Sequence, residues 1–170
     1  KGMTVYDIFG GNLSGGTVSG AANVTLTSGV SNYVFGGNNA GGTVGSAALL
    51  LSGGTINNVA FGGNLSSGEI VGNVLINQGA VRFNAPEKQD NVSNENDIGV
   101  MYGGNMNGGT ISGNVQIDSN AEVRGTSTSN RNIFGGNYGN GIIKGNVTIN
   151  MRHSHPLLRY RYSERSNHTA

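Results

Sequence analysis

The charged side chains are few, and their spacing limits the chemistry open to this chain. Asp118 and Glu122 lie close to Arg124, and Glu69 stands alone in a Gly-rich stretch. Glu87, Asp90, Glu95 and Asp97 crowd one polar segment with Lys88, downstream of Arg82. Glycoside hydrolysis needs two carboxylates facing each other across a cleft, and a polysaccharide lyase needs an acid cluster beside a basic residue. These acids are spread over different segments, so solvated surface charge is the expected reading and no catalytic residue is assigned. The run Asp90–Asp97 is rich in oxygen ligands but lacks EF-hand spacing. His153 and His155 have no further ligand beside them. No metal and no cofactor are expected. The residues expected to touch a ligand are Arg82, Glu87, Asp90, Glu95, Asp97, Asp118, Glu122 and Arg124.

What must position them is a repeat. Phe9-Gly10-Gly11-Asn12 returns as Phe35-Gly36-Gly37-Asn38, Phe61-Gly62-Gly63-Asn64, Tyr102-Gly103-Gly104-Asn105 and Phe134-Gly135-Gly136-Asn137. Nine residues beyond each aromatic stands Val18, Val44, Ile70, Ile111 or Ile143. Alternating apolar pairs follow: Val24/Leu26, Leu49/Leu51, Val74/Ile76, Val115/Ile117 and Val147/Ile149. Short strands between Gly-rich corners at a period near 25 residues predict an all-β fold, a parallel β-helix or β-solenoid. About five coils of three short strands are expected, right-handed, with the aromatic and aliphatic columns inward. Glycine in the Gly-Gly-Asn corner is expected to supply positive φ, which Asn tolerates. The corner Asn residues (Asn12, Asn38, Asn64, Asn105, Asn137) are expected to stack their amides as a ladder. A second Asn column is read at Asn23, Asn73, Asn114 and Asn146, broken by Ala48.

The spacing also locates insertions. Leu26 to Phe35 is 9 residues and Leu51 to Phe61 is 10, but Ile76 to Tyr102 is 26 and Ile117 to Phe134 is 17. Insertions at 77–98 and 118–132 therefore leave one arc of the repeat, and in a solenoid such loops share a side. Residues 1–151 form the repeat domain. Residues 152–170, with Arg152, Arg159, Arg161, Arg165 and all three His, form a basic tail or cap.

Composition excludes several classes. Net charge over 1–151 is −2, from six Lys/Arg and eight Asp/Glu, so the repeat offers no broad basic face for nucleic acid. Without cysteine there are no disulfides. No apolar run reaches membrane-spanning length.

The motifs aromatic-Gly-Gly-Asn, Gly-Gly-Thr-Val (15–18) and Gly-Asn-Val-Thr-Ile (145–149) resemble the Gly/Asn-rich β-solenoid repeats of bacterial surface adhesins and autotransporter passengers. The resemblance covers about residues 5–150. It implies an extracellular or cell-surface location and a structural or adhesive role, with a glycan or host-surface protein as partner. Two other readings stand beside it: a carbohydrate-active β-helix enzyme, and a subunit that self-associates end to end.

Overall fold

In the computed structural model the chain is described over residues 2–84, 100–121, 124–125 and 132–152. It is all-β and solenoid-like: parallel strands in three sheets, with no helix among the described residues. One sheet holds the aromatic strands Asp7–Phe9, Tyr33–Phe35, Ala60–Phe61, Met101–Tyr102 and Ile133–Phe134, stacked in chain order. A large sheet holds Thr17–Leu26, Ala40–Leu51, Ser67–Ile70, Val74–Gln78, Thr110–Ile111, Val115–Ser119, Ile142–Ile143 and Val147–Met151. A third sheet, Val30–Ser31, Thr55–Ile56, Arg82–Phe83 and Arg124–Gly125, is an addition to the strands expected, and in the first two repeats two expected strands run together as Thr17–Leu26 and Ala40–Leu51. Its two-residue strands are too short and too mixed in composition to show alternation.

The inward columns form as expected at the aromatic. Phe9, Phe35, Phe61, Tyr102 and Phe134 stack with ring centroids 4.8, 5.2, 5.2 and 5.0 Å apart and planes within 14°. The spacing is close to that of neighbouring strands, so each ring lies over its copy, adding roughly 0.5–1.5 kcal/mol per pair beyond burial. Val18, Val44, Ile70, Ile111 and Ile143 also lie in register.

The next columns correct the expectation. Val24 and Leu49 lie level with Ile76, Ile117 and Ile149; Val74 and Val115 sit over Ala47 and Ala22. The second repeat lacks one residue between Val44 and Ala47, and its neighbour absorbs the difference as a register shift between Val18 and Ala21. Matching by residue type therefore misplaces the first two repeats by two residues. Two residues is one strand period, so the same faces stay inward. Leu26 and Leu51 then continue as Gln78 and Ser119, both buried. Ser119 Oγ donates to Gln78 Oε1, and Gln78 Nε2 donates to the Gly79 carbonyl, so this polar pair is satisfied inside an apolar column. Asn23 leaves the second Asn column, where Ala21 and Ser46 stand instead. Asn73, Asn114 and Asn146 remain in it, each lower Oδ1 accepting from the backbone N–H of the Asn above, at 2.9 and 2.8 Å, rather than by amide stacking.

The Gly-Gly-Asn corner forms for another reason than expected. Positive φ occurs at Gly16, Gly42, Gly68, Gly109 and Gly141, four residues beyond the corner Asn, and at no corner glycine or asparagine. The corner glycines are needed for space. A Cβ on Gly10 would meet the Gly36 carbonyl oxygen at 2.5 Å, and one on Gly103 the Gly135 oxygen at 2.5 Å.

Candidate functional site

The flank from which the long loops leave is built on the third sheet. Arg82 pairs in register with Thr55 on one side and Arg124 on the other, and Phe83 with Ile56 and Gly125. Phe83 and Ile56 are buried, anchoring the strand by roughly 1.5–3 kcal/mol each, while Arg82 is exposed. Residues 77–78, expected as insertion, continue the strand Val74–Gln78, and 118–119 likewise complete Val115–Ser119. Apart from one residue between Ser119 and Arg124, the extra chain lies beyond Asn84 and Gly125. It rejoins the repeat where the Val100 N–H donates to the Asn132 carbonyl at 2.9 Å and Met101 pairs with Ile133. Both insertions thus begin and end at neighbouring positions on one side.

Beside Arg82 runs an asparagine ladder that sequence reasoning missed. Arg82 Nε donates to Asn84 Oδ1 at 3.0 Å, Asn84 Nδ2 to Asn57 Oδ1 at 3.4 Å, and Asn57 Nδ2 to Asn32 Oδ1 at 3.2 Å. Its sequence signal was the distance to the next aromatic: Asn32 and Asn57 lie three and four residues before Phe35 and Phe61. The insertion after Asn84 breaks that offset. The ladder holds Arg82 at Nε, and among the described residues its other guanidinium N–H groups have no acceptor.

The other expected ligand residues do not all converge here. Asp118 lies within the strand Val115–Ser119, on the outer face of the large sheet, rather than after it beside Arg124. Its Oδ1 accepts from Asn150 Nδ2 at 2.8 Å and its Oδ2 from Gln116 Nε2 at 2.8 Å, over Asn77, which accepts from Asn120 Nδ2 at 2.7 Å. Glu69 is on the same sheet, its Oε1 accepting from Ser112 Oγ at 2.9 Å. Glu87, Asp90, Glu95, Asp97, Glu122 and the Arg124 side chain lie outside the described residues, as do 153–170 with His153 and His155. Among the described residues no group of three or more acids or histidines is placed to hold a metal.

The hydrogen bonds from Asn150 and then Gln116, helped by the positive charge of Arg152, hold the Asp118 carboxyl below its ordinary value. A carboxyl whose folded pKa is depressed stabilises the fold above its unfolded pKa, and that contribution disappears as pH falls through the folded value. Asp118 should therefore titrate below a free aspartate when followed by side-chain carboxyl NMR. Asp118→Asn should flatten the part of the acid-unfolding profile below the ordinary carboxylate range. An ordinary titration would mean that the Asn150 and Gln116 bonds do not persist in solution.

Comparison of the chain with protein-family models, with characterised proteins and with solved structures gives no match. The class the fold defines is a solenoid-like stack of parallel β-strands with polar ladders on its surface.

Proposed function

We propose that the chain is a right-handed parallel β-helix of about five coils, serving as a structural and adhesive segment of a secreted or cell-surface protein. On this reading it is not an enzyme. A glycan or host-surface protein is bound on the side carrying Arg82, Arg124 and the two long loops. The observation that carries the reading is the shared origin of both insertions on the third sheet. In the other two sheets the described repeats pair strand on strand, with register shifts only between Val18 and Ala21 and between Ala40 and Thr43. Loops concentrated on one side of a regular rod are where such scaffolds place recognition. Arg82, exposed and braced by Asn84, supplies planar donors suited to carboxylate or hydroxyl groups of a glycan.

Loop replacement tests this directly. In the preceding repeat a single residue, Asn58, bridges Asn57 and Val59, the positions level with Asn84 and Val100. Replacing 85–99 by one Asn should therefore preserve folding, with a midpoint in urea close to that of the parent, because loop-closure entropy changes slowly with length. On a glycan array or immobilised host-surface proteins, this variant and Arg82→Ala should each lose roughly tenfold or more of the parent's binding. Retained binding by both, with the fold intact, would remove this side from the reading.

A further inference from the structure

We propose that the C-terminal end of the stack is a docking face for the N-terminal end of a second copy, joined by continuation of the same ladders. The Asn ladder has a direction. The backbone N–H and Nδ2 of Asn12 donate to Asn38 Oδ1, those of Asn38 to Asn64, of Asn64 to Asn105 and of Asn105 to Asn137, all between 2.8 and 3.1 Å. Asn137 accepts from below, but among the described residues its own N–H and Nδ2 reach no acceptor. At the other end Asn12 donates, and among the described residues its Oδ1 receives no hydrogen bond. The two ends are therefore complementary to each other, donors on one and acceptor on the other, and neither is complementary to itself. Such an arrangement specifies head-to-tail contact rather than a two-fold dimer.

The apolar columns end in the same way. Val147, Ile149 and Phe134 are 46%, 40% and 39% exposed, where their counterparts Val74, Ile76 and Phe61 are at most 1%. Continuation of the register sets Phe9 of a second copy on Phe134, Val18 on Ile143, Ala22 on Val147 and Val24 on Ile149. These are apolar pairings of the kinds already present inside the stack. The chain's own residues 153–170 carry no glycine and no aromatic-Gly-Gly-Asn motif, so they lack the sequence that every stacked repeat uses at this corner. Among the described residues no strand pairs beyond Ile142–Ile143 and Val147–Met151, and a parallel edge of this kind is a template for further strands. The inference rests on the register of the stack and is independent of the adhesive reading. Loss of glycan binding would leave it standing.

Gly136 provides a clean test. A Cβ there meets nothing within 4 Å, whereas at Gly11, Gly37 and Gly63 it would meet the next repeat's Asn Oδ1 at 2.7, 2.6 and 2.6 Å. Gly136→Ala should therefore leave the melting of the single copy unchanged and obstruct only an incoming repeat. For the full 170-residue chain, sedimentation should show mass rising with concentration and not closing at the dimer. Gly136→Ala should weaken association by roughly tenfold or more. Ile149→Lys, which places a charge on the same exposed face, should do the same. Added at low ratio it should shorten parent assemblies, since it can still join through its N-terminal end. A parent that stays monomeric at all concentrations, one that stops at dimers, or a Gly136→Ala variant that assembles like the parent would overturn the proposal.

Discussion

Replacing Gly62 with alanine is expected to remove about 3 kcal/mol or more of folding stability, whereas the same change at Gly15 should be neutral or add about 0.5 kcal/mol. Neither glycine has a positive φ, so backbone strain does not separate them. Space does. A Cβ on Gly62 would run into the carbonyl oxygen of Gly103 and into Val74 Cγ1 at 2.5 Å, while one on Gly15 meets nothing within 4 Å. The first obstacle is backbone, so no rotamer change relieves it. The strand must move away from the next repeat, loosening the bonds from Gly62 N to the Tyr102 oxygen and from Gly63 N to the Gly104 oxygen, both 2.9 Å, at about 1 kcal/mol each. Gly62 sits in the middle of the stack, so the damage reaches the repeats on both sides. Urea denaturation of the two variants decides the matter. A Gly62→Ala protein within about 1 kcal/mol of its parent would mean that the repeats are not packed as closely as described.

That contrast shows what the sequence could and could not reveal. The aromatic column was legible because each aromatic keeps one fixed offset to its β-branched partner. A constant offset survives insertions placed elsewhere in the repeat. The third strand was harder. The second repeat drops one residue before Ala47, and matching residue types slid Leu49 onto Val74 rather than Ile76. A slip of two residues leaves every apolar side chain on its proper face, so the hydrophobic pattern holds no contradiction that would expose it. The role of the corner glycines is hidden in the sequence for a related reason. Glycine is required both where φ is positive and where a neighbouring backbone comes too close, and one chain cannot display the neighbour. The loop flank was half legible. Spacing identified the inserted arc, but the Asn32–Asn57–Asn84 ladder beneath it became visible only through register, and Asp118 belonged to another sheet.

Asn64 carries the second large effect. Its side chain is fully buried, Oδ1 accepting from Asn38 N and Nδ2 at 2.8 and 3.0 Å while Nδ2 donates to Asn105 Oδ1 at 2.9 Å. Asn64→Ala strands the Asn38 backbone N–H and one Asn105 acceptor site in the interior and leaves Asn38 Nδ2 only its bonds to the Gly42 and Glu69 carbonyls, an expected loss of about 3–5 kcal/mol. Asn64→Asp keeps the shape and the acceptor for Asn38 but turns the donor into a second acceptor facing Asn105 Oδ1. As a carboxylate it would be an unpaired buried charge opposed by an oxygen; as a carboxylic acid its O–H can donate to Asn105 and restore the ladder. Burial without a cation raises the folded pKa, so the protonated form is the one the fold prefers. Stability of this variant should then be highest below the unfolded value near 3.9 and fall by up to about 1.4 kcal/mol per pH unit above it, until the raised pKa is passed. Unfolding in urea at pH 4 and pH 7 separates the outcomes. The aspartate protein should approach the parent at the lower pH and fall to or below the alanine protein at the higher one. Equal losses at both would mean that the position is open to water, and that the directional ladder does not hold the stack together.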